Sequence, residues 1–402
     1  MNKHLQIFLL GLFTALCFSA FIYLAEFNIT IKFLNTLLGL GALGLLLYIP
    51  KQSIPVAGFW IGIFWFYWIG YSFEYQGVGY MTPIVTLGFG IIYLLFFLPL
   101  YFTQKPYIRA LLLFGLSFVE PFDWNWLQIE LLFVDSYIGV YKYQLFFLLA
   151  ALSLPSLIQR REYKSLPFLL LLVAVNYGYP EQKDAPLKIK LVATDIPQSE
   201  KWKRENLTAT LDLIFREIKK AEGEGYDLVV LPESVFPMYL NLHPAILNSL
   251  KRASKSISIV TGSLLREGNS SYNASYLFEN GNYQIAKKLV LVPFGEYIPL
   301  PKFAQDFINN TFFKGESDFV TATTPTDFVI KGIRFRNAIC YEATCQEIYE
   351  GDVTYLIAIS NNAWFSPSIE PTLQHLLLKY YARKNGVTIY HAANSAGSGI
   401  IK

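Results

Sequence analysis

The residues best suited to chemistry are a cysteine, a lysine and two carboxylates at the ends of apolar, strand-like runs. Cys340 ends the run "RFRNAIC", Glu233 follows "YDLVVLP", and Lys288 and Glu296 flank "LVLVPFG". In such a set, a carboxylate removes the proton of the thiol, and a lysine stabilises the negative oxygen of a tetrahedral intermediate. The combination therefore indicates covalent acyl chemistry with Cys340 as the nucleophile.

Cys340 lies where a strand-like run gives way to a helix-like segment. Unpaired N–H groups and the dipole at a helix N-terminus favour a thiolate, so we expect a helix after Cys340 and a thiol that ionises readily. A small buried thiol also packs at such a place without reacting.

The other candidates have equally ordinary interpretations. Glu233 is consistent with a satisfied strand-end carboxylate, and Glu296 with a turn acid. Lys288 stands beside Lys287 and is consistent with a surface lysine. Only the joint arrangement of these residues favours a catalytic site.

The elements that must position these residues alternate between short apolar runs and amphipathic segments. Strands are predicted for "LKIKLVATDI", "YDLVVLPES" and "SIVTGSLLR", and helices for "ENLTATLDLIFREIKKAEG" and "HPAILNSLKRASKS". This alternation predicts an α/β fold in which helices cover a sheet. Strands of such sheets present functional side chains at their ends, where the candidates above are found.

The composition is that of a membrane protein. Hydrophobic residues make up 53% of the 402 residues and charged residues only 16%, which is too apolar for an ordinary soluble enzyme. The long apolar blocks stop near Tyr179, so we predict two domains, residues 1–179 and residues 180–402. The net charge of +3, without a basic stretch, gives no surface for nucleic acid.

The first domain is predicted to be a transmembrane helical bundle of about seven spans. Each apolar block approaches or reaches the roughly 20 residues that cross a bilayer as a helix. The blocks are residues 5–25, 33–49, 54–72, 83–103, 107–119, 143–158 and 166–179.

Basic residues fall in alternate connections between these blocks. They are Lys3, Lys51, Lys105, Arg109, Arg160, Arg161 and Lys164. The positive-inside rule then places the N-terminus in the cytoplasm, and seven spans place the second domain on the opposite side of the membrane.

The cysteines and histidines give neither a disulfide framework nor the spacing of metal ligands, so we expect no metal and no cofactor. These residues are Cys17, Cys340, Cys345, His4, His243, His375 and His391.

The soluble half resembles the nitrilase superfamily. The blocks that carry the resemblance are "LVVLPESVFP", "KLVLVPFGEYIPL", "AICYEA", "ISNNAWF", "LQHLLLKYYARKNG" and "HAANSAGSGII", which stand in the order of the family. The resemblance implies an αββα sandwich with a Glu-Lys-Cys triad, in which Glu233 is the general base, Lys288 stabilises the oxyanion and Cys340 is the nucleophile. It also implies a set of residues that support the site or lie beside it, namely Glu296, Tyr341, Glu342 and Trp364.

The "VPFGEYIPL" block, the "ATDIPQSEKW" opening and the apolar N-terminal half resemble one membrane branch of this superfamily, which acylates lipoproteins. The resemblance implies that a phospholipid donates an acyl chain to Cys340 as a thioester at the outer face of a bacterial inner membrane. The acceptor is then the α-amine of the N-terminal diacylglyceryl-cysteine of a lipoprotein. Two alternatives stay open: a membrane-tethered amidase acting on small amides or nitriles, and a lipid-binding membrane protein with a decayed site.

The sequence departs from the family pattern in two places. The loop reads "SNNAWFS" where family members usually have "SNDAWFG", so Asn362 and Ser366 are substitutions at the rim of the site. We expect them to change the detail of the loop and not the chemistry. Relatives continue beyond "SAGSGII" through further strands and a last membrane helix, so we expect either that the sequence is incomplete or that the fold closes without those elements.

Overall fold

The computed structural model describes residues 2–75, 77–293, 295–297 and 319–402. The chain forms two compact units, Met1–Tyr179 and Pro180–Lys402. Four residues of the "VPFGEYIPL" block, at positions 294 and 298–300, lie outside the described residues.

The described part of the first unit consists of helices joined by turns and loops. Its α-helices are α1 Lys3–Glu26, α2 Lys32–Tyr48, α3 Ile54–Phe66, α4 Ser72–Tyr75, α5 Thr82–Phe97, α6 Pro106–Leu116, α7 Lys142–Ser153 and α8 Leu171–Ala174. Short 3₁₀ turns extend several of them, for example Tyr67–Tyr71 after α3 and Leu98–Phe102 after α5.

Three helical segments among the described residues are long and apolar enough to cross a membrane: Lys3–Glu26, Lys51–Tyr75 and Gly79–Phe102. Lys32–Tyr48 and Pro106–Leu116 are apolar but shorter. The two remaining predicted blocks form the 12-residue helix α7 and the four-residue helix α8. A helical membrane domain is therefore present, and the count of seven spans stays a prediction.

Glycine permits close helix packing inside this unit. A Cβ atom on Gly62 of α3 would lie 2.4 Å from the Phe89 carbonyl oxygen of α5. Only glycine allows the two backbones to approach this closely, as at many helix contacts in membranes. Large apolar side chains of α1 such as Phe8 and Phe13 are instead exposed, as expected for a surface that faces lipid.

The environment of Arg109 differs from the sequence prediction. It was counted as a loop charge, but it lies in α6 and is fully buried. Its guanidinium donates to the carbonyl oxygens of Leu46, Leu47 and Ile49 at 3.3, 3.2 and 2.7 Å, which are among the unpaired acceptors at the end of α2. Arg109 therefore caps a helix, and the exposed Lys105 carries the charge of that connection.

The second unit contains two β-sheets. The first sheet has the order β1 (Ile189–Leu191), β2 (Leu228–Val230), β4 (Ser258–Glu267), β5 (Ser270–Glu279) and β6 (Asn282–Lys287), with β3 (Phe236–Tyr239) paired to β4. The second sheet has the order β11 (Gly399–Ile401), β10 (Thr388–Asn394), β9 (Tyr355–Asn361), β8 (Ile333–Ile339) and β7 (Asp327–Ile330).

The two sheets pack face to face and share a core. Val230, Val260 and Leu277 of the first sheet belong to the same buried cluster as Ile339 and Ile359 of the second. This arrangement is the predicted sandwich of two sheets.

Helices cover the outer faces of the sheets. The α-helices among the described residues of this unit are α9 Gln198–Lys201, α10 Leu207–Gly223, α11 Pro244–Ala253 and α12 Glu370–Asn385. Ile214, Ile218 and Ala221 form the buried stripe of α10, spaced as an amphipathic helix requires. The three strands and two helices predicted between residues 187 and 266 are confirmed, with ends that differ from the prediction by a few residues, whereas the apolar run that follows Lys288 forms no strand.

Candidate active site

Sheet topology brings the predicted site residues to neighbouring strand ends. β2 runs parallel to β4, and two antiparallel pairings, β4 with β5 and β5 with β6, return β6 to the same direction. Glu233 follows β2 and Lys288 follows β6, so both emerge from the carboxyl edge of the first sheet. Cys340 directly follows β8, which runs parallel to its neighbour β9, and β9 runs parallel to β10 in the second sheet.

Cys340 has an unusual backbone conformation for a residue with a side chain. Its φ is +56°, in the left-handed region, and it is half-buried. Such conformations are costly and are concentrated at functional sites. The segment that follows is a five-residue 3₁₀ turn, Cys340–Thr344, so the expected helix is absent there and no extended helix dipole acts on the sulfur.

The charge environment of Cys340 also corrects the sequence prediction. Burial raises the pKa of the Cys340 thiol well above its ordinary value, and the carboxylate of Glu233 raises it further, while Lys288 lowers it. Glu370 and Glu296 add smaller increases. The expectation of a readily ionised thiol is therefore wrong, and the resting site holds a thiol whose reaction requires a base.

Glu233 is held in a crowded loop above β4. A Cβ atom on Gly262 would lie 2.6 Å from the Glu233 Cα atom, so glycine is needed for this loop to pass so close. The next residue, Ser234, has a φ of +46°. The Glu233 side chain is buried and accepts a hydrogen bond from Asn273 Nδ2 at 2.7 Å, which fixes its position.

Lys288 is buried and paired with Glu296. Only 1% of its side chain is exposed, and its Nζ lies 2.6 Å from Glu296 Oε2, so the alternative interpretation as a surface lysine is excluded. Burial lowers the pKa of Lys288, but the charges of Glu296, Glu233 and Cys340 raise it above its ordinary value. Asn273 Nδ2 lies 3.4 Å from Glu296 Oε1 and so connects this pair to Glu233.

Glu342 joins the two strand ends that carry Lys288 and Cys340. One carboxylate oxygen accepts from the backbone N–H of Leu289 at 2.6 Å, and the other accepts from that of Ile339 at 2.6 Å. Burial raises the pKa of Glu342 to about 7, against the opposing effects of Lys288 and of these N–H groups. The carboxyl group therefore holds the two sheet edges together.

Tyr341 and Trp364 occupy the predicted surroundings of the site. Tyr341 is buried in the 3₁₀ turn that begins at Cys340. Trp364 is half-buried in the turn Asn362–Trp364 that follows β9. Within the described residues, no group of three or more His, Cys, Asp or Glu side chains is arranged to hold a metal ion.

Both halves of the chain match known families. Residues 5–177 match the family described as "Apolipoprotein N-acyltransferase integral membrane domain", and residues 191–400 match "Carbon-nitrogen hydrolase". The chain is 43% identical to the apolipoprotein N-acyltransferase of Wolinella succinogenes, over 98% of this chain and 95% of that protein. The chain belongs to the apolipoprotein N-acyltransferase family.

Other relatives of this name are similar over most of their length. The protein of Helicobacter pylori is 38% identical over 88% of this chain and 84% of its own length. The protein of Campylobacter jejuni is 36% identical over 97% of this chain and 88% of its own length. The family resemblance inferred from the sequence blocks is thus confirmed.

Four polar residues of the site were not predicted from the sequence. Besides Asn273, they include Lys201, whose buried Nζ donates to the Glu233 carbonyl oxygen at 3.0 Å. Burial lowers the pKa of Lys201 to about 8, although the charges of Glu233 and Cys340 oppose this. The other two, Glu370 and Gln374, lie four residues apart on α12 and are both 1% exposed. Polar residues at helical spacing on an apolar face were the available signal.

The buried carboxyl group of Glu370 is expected to make the stability of the protein depend on pH. Burial and then the charge of Glu233 raise its pKa well above the ordinary value of 4.5, and its Oε2 has no hydrogen-bond partner in the described part of the chain. Folding therefore takes up a proton, and stability falls as pH rises from 4.5 toward the folded-state pKa. We expect Glu370→Gln to unfold at a higher temperature than wild type at pH ~8, because the variant has no proton to lose. At pH ~4, where the Glu370 carboxyl is protonated in both the folded and the unfolded state, the two proteins should unfold at nearly the same temperature.

Thermal unfolding of the detergent-solubilised chain at the two pH values measures this difference. The exposed Glu222 of α10 is the matched control, since Glu222→Gln is expected to change stability little at either pH. A Glu370→Gln protein that is no more stable than wild type at the higher pH would show that Glu370 ionises freely in the folded state.

Proposed function

We propose that the chain transfers a fatty acyl group from a phospholipid to the α-amine of the N-terminal diacylglyceryl-cysteine of lipoproteins, with Cys340 as the acyl carrier. Family membership supports the reaction, and the observation that carries the mechanism is the cluster of Glu233, Lys288 and Cys340 at adjoining strand ends. A soluble amide or nitrile substrate is disfavoured because it would need no membrane domain.

In the first half-reaction, Glu233 takes the proton from the Cys340 thiol. The thiolate attacks the ester carbonyl carbon of the phospholipid, and the charge that develops on the carbonyl oxygen is stabilised by Lys288. The ester C–O bond then breaks, and Glu233 returns the proton to the departing lysophospholipid oxygen. The acyl group remains on Cys340 as a thioester.

In the second half-reaction, the lipoprotein amine attacks the thioester carbonyl carbon. Glu233 removes a proton from the amine, the C–S bond breaks, and the proton returns to the Cys340 sulfur. The product is an amide and the free thiol is restored. Glu296 keeps the Lys288 ammonium in place through both steps, since it is the ion-pair partner of that group.

The test is mass spectrometry of the tryptic N-terminal lipopeptide of an abundant lipoprotein. We expect triacylated peptide from cells that contain the protein and diacylated peptide from cells that lack it. Cells that express Cys340→Ala are the control and should resemble the deletion. Triacylated peptide in the deletion strain, with no other acyltransferase present, would contradict the proposal.

The proposal includes a location in the bacterial inner membrane with about seven spans and the second unit on the periplasmic side. It rests on the basic residues of alternate connections, of which Lys51 and Lys105 are examples. A reporter that is active only in the periplasm is expected to be active when fused after Asp184. Activity of a cytoplasm-only reporter at the same junction would reverse the orientation.

A further inference from the structure

Gln374 reaches the nucleophile from helix α12. Its side chain is 1% exposed, and its Nε2 lies 3.9 Å from Cys340 Sγ, within the range of a hydrogen bond to sulfur. A carboxamide can present either its N–H group or its carbonyl oxygen to a neighbour. The two orientations have opposite effects on a thiolate, because the N–H group stabilises the negative charge and the oxygen repels it.

Asn362 determines which end of the Gln374 amide faces the sulfur. The Asn362 amino group donates to the backbone oxygen of Ala396 at 2.9 Å and to Gln374 Oε1 at 3.0 Å. A backbone carbonyl only accepts hydrogen bonds, so the Asn362 amino group must point toward Ala396. Since the same amino group reaches Gln374, the glutamine must present its oxygen to Asn362 and its N–H group to Cys340.

The Asn362 loop is held in place by further contacts. Asn362 is 1% exposed and directly follows β9. Ser366 Oγ donates to the Asn362 carbonyl oxygen at 3.2 Å and lies 2.8 Å from Ser395 Oγ. Asn362 and Ser366 are the two positions at which "SNNAWFS" departs from the usual "SNDAWFG". An aspartate carboxylate at position 362 has no donor for Ala396 or for Gln374 Oε1, so the departure changes the hydrogen bonding around the sulfur.

We propose that Gln374 is a catalytic hydrogen-bond donor to the Cys340 sulfur and that Asn362 is a positioning residue that fixes the Gln374 amide in the donating orientation. The inference rests on the proposed function, because it assigns a role in forming and releasing the Cys340 thioester. When Glu233 removes the proton, and again when the C–S bond breaks, negative charge on the sulfur is stabilised by the Gln374 N–H group.

The charged groups around the sulfur make such a donor important. Glu233, Glu370 and Glu296 all raise the pKa of Cys340 after burial, and Lys288 is the cation that lowers it. Lys201 is a further buried amine whose pKa responds to the Cys340 charge. Lys288 is already engaged by Glu296, so the neutral Gln374 amide on α12 supplies a further source of stabilisation for the negative charge on the sulfur.

The experiment measures alkylation of Cys340 by iodoacetamide in the full-length protein across a pH series. The alkylated fragment that ends at Tyr341 is quantified by mass spectrometry after chymotryptic digestion, which separates Cys340 from Cys17 and Cys345. Because no lipid is involved, this readout is separate from acyl transfer. If the variants shift the alkylation midpoint as expected but the wild-type protein transfers no acyl group, the proposed function is rejected and the role of the Gln374 amide is still supported.

We expect Gln374→Leu to slow alkylation at neutral pH about tenfold, with the midpoint of the pH profile about one unit higher. A glutamate side chain has nearly the same shape as glutamine but places a carboxylate oxygen against the sulfur. Gln374→Glu should therefore slow the alkylation of Cys340 more than Gln374→Leu does. Gln284→Glu is the matched control, since Gln284 is exposed on β6, and its profile should equal that of wild type.

Asn362→Asp tests the positioning role. It should raise the alkylation midpoint as Gln374→Leu does, because the glutamine amide turns its oxygen toward the sulfur. In the Gln374→Leu background the same substitution should add no further shift, which a general loss of folding would not reproduce. An unchanged midpoint in Gln374→Leu would overturn the donor role, and additive shifts in the double variant would overturn the positioning role of Asn362.

Discussion

Replacement of Cys340 by alanine is expected to abolish acyl transfer, whereas replacement of Cys345 by alanine leaves most of the activity. Removal of the nucleophile of a covalent mechanism should lower the rate by more than about 10³-fold. Cys340→Ser should be nearly as inactive, because the site deprotonates a hydroxyl far less readily than a thiol. The rate at which purified protein converts a diacylated lipopeptide to the triacylated form, followed by mass spectrometry, measures these effects.

Cys345 is the matched control because it is close in sequence and differs in environment. It lies between two 3₁₀ turns, is 3% exposed and donates to the Tyr341 carbonyl oxygen at 3.5 Å. Both cysteines are free thiols in the structure. Thiol labelling without reduction should therefore modify Cys340, and a Cys340 that reacts only after reduction would refute a resting free nucleophile.

Substitution of Glu233 or of Lys288 is expected to slow formation of the acyl-enzyme strongly. Glu233→Gln keeps an oxygen for Asn273 Nδ2 but removes the base, which should cost about 10²–10⁴-fold in acylation rate. Lys288→Ala removes the cation that faces the developing oxyanion, with an expected loss of about 10²–10³-fold. The measurement is the rate at which one fatty acyl mass appears on the intact protein after phospholipid is added.

Lys287→Ala is the matched control for the lysine. Lys287 is the adjacent residue, is paired with Glu267 at 2.6 Å and has 29% of its side chain exposed, so its loss should leave acylation close to the wild-type rate. Acylation of Lys288→Ala at the rate of Lys287→Ala would show that the buried lysine has only a structural role. Acylation of Glu233→Gln at the wild-type rate would require a different base, and Lys201 would be the first to test.

The sequence was sufficient to predict the strand ends but not the contacts between them. Glu233, Lys288 and Cys340 could be found because each stands at an end of a short apolar run, and the strand directions within each sheet bring such positions to one edge of that sheet. The bonds of Glu342 to Leu289 and of Asn273 to Glu233 join residues that are distant in the chain. No local pattern encodes such pairings.

Three sequence predictions failed or stayed open for physical reasons. The segment after Cys340 was predicted to be a helix from its composition, but the Glu342 side chain bonds back to the Ile339 N–H and the chain forms a 3₁₀ turn. The thiol was predicted to ionise from its place in the sequence, whereas burial among carboxylates decides its pKa. Apolar blocks reveal the membrane half, but helix lengths also depend on interruptions such as Pro106, which begins the 11-residue helix α6.

The central claim is that Cys340 carries the acyl group before the acceptor arrives. It is tested most directly by the intact mass of the wild-type protein incubated with phospholipid alone. We expect a gain of one fatty acyl chain on Cys340 that hydroxylamine at neutral pH removes, as it removes a thioester and not an amide. An adduct that forms only when lipoprotein is present, or one that persists in Cys340→Ala, would contradict it.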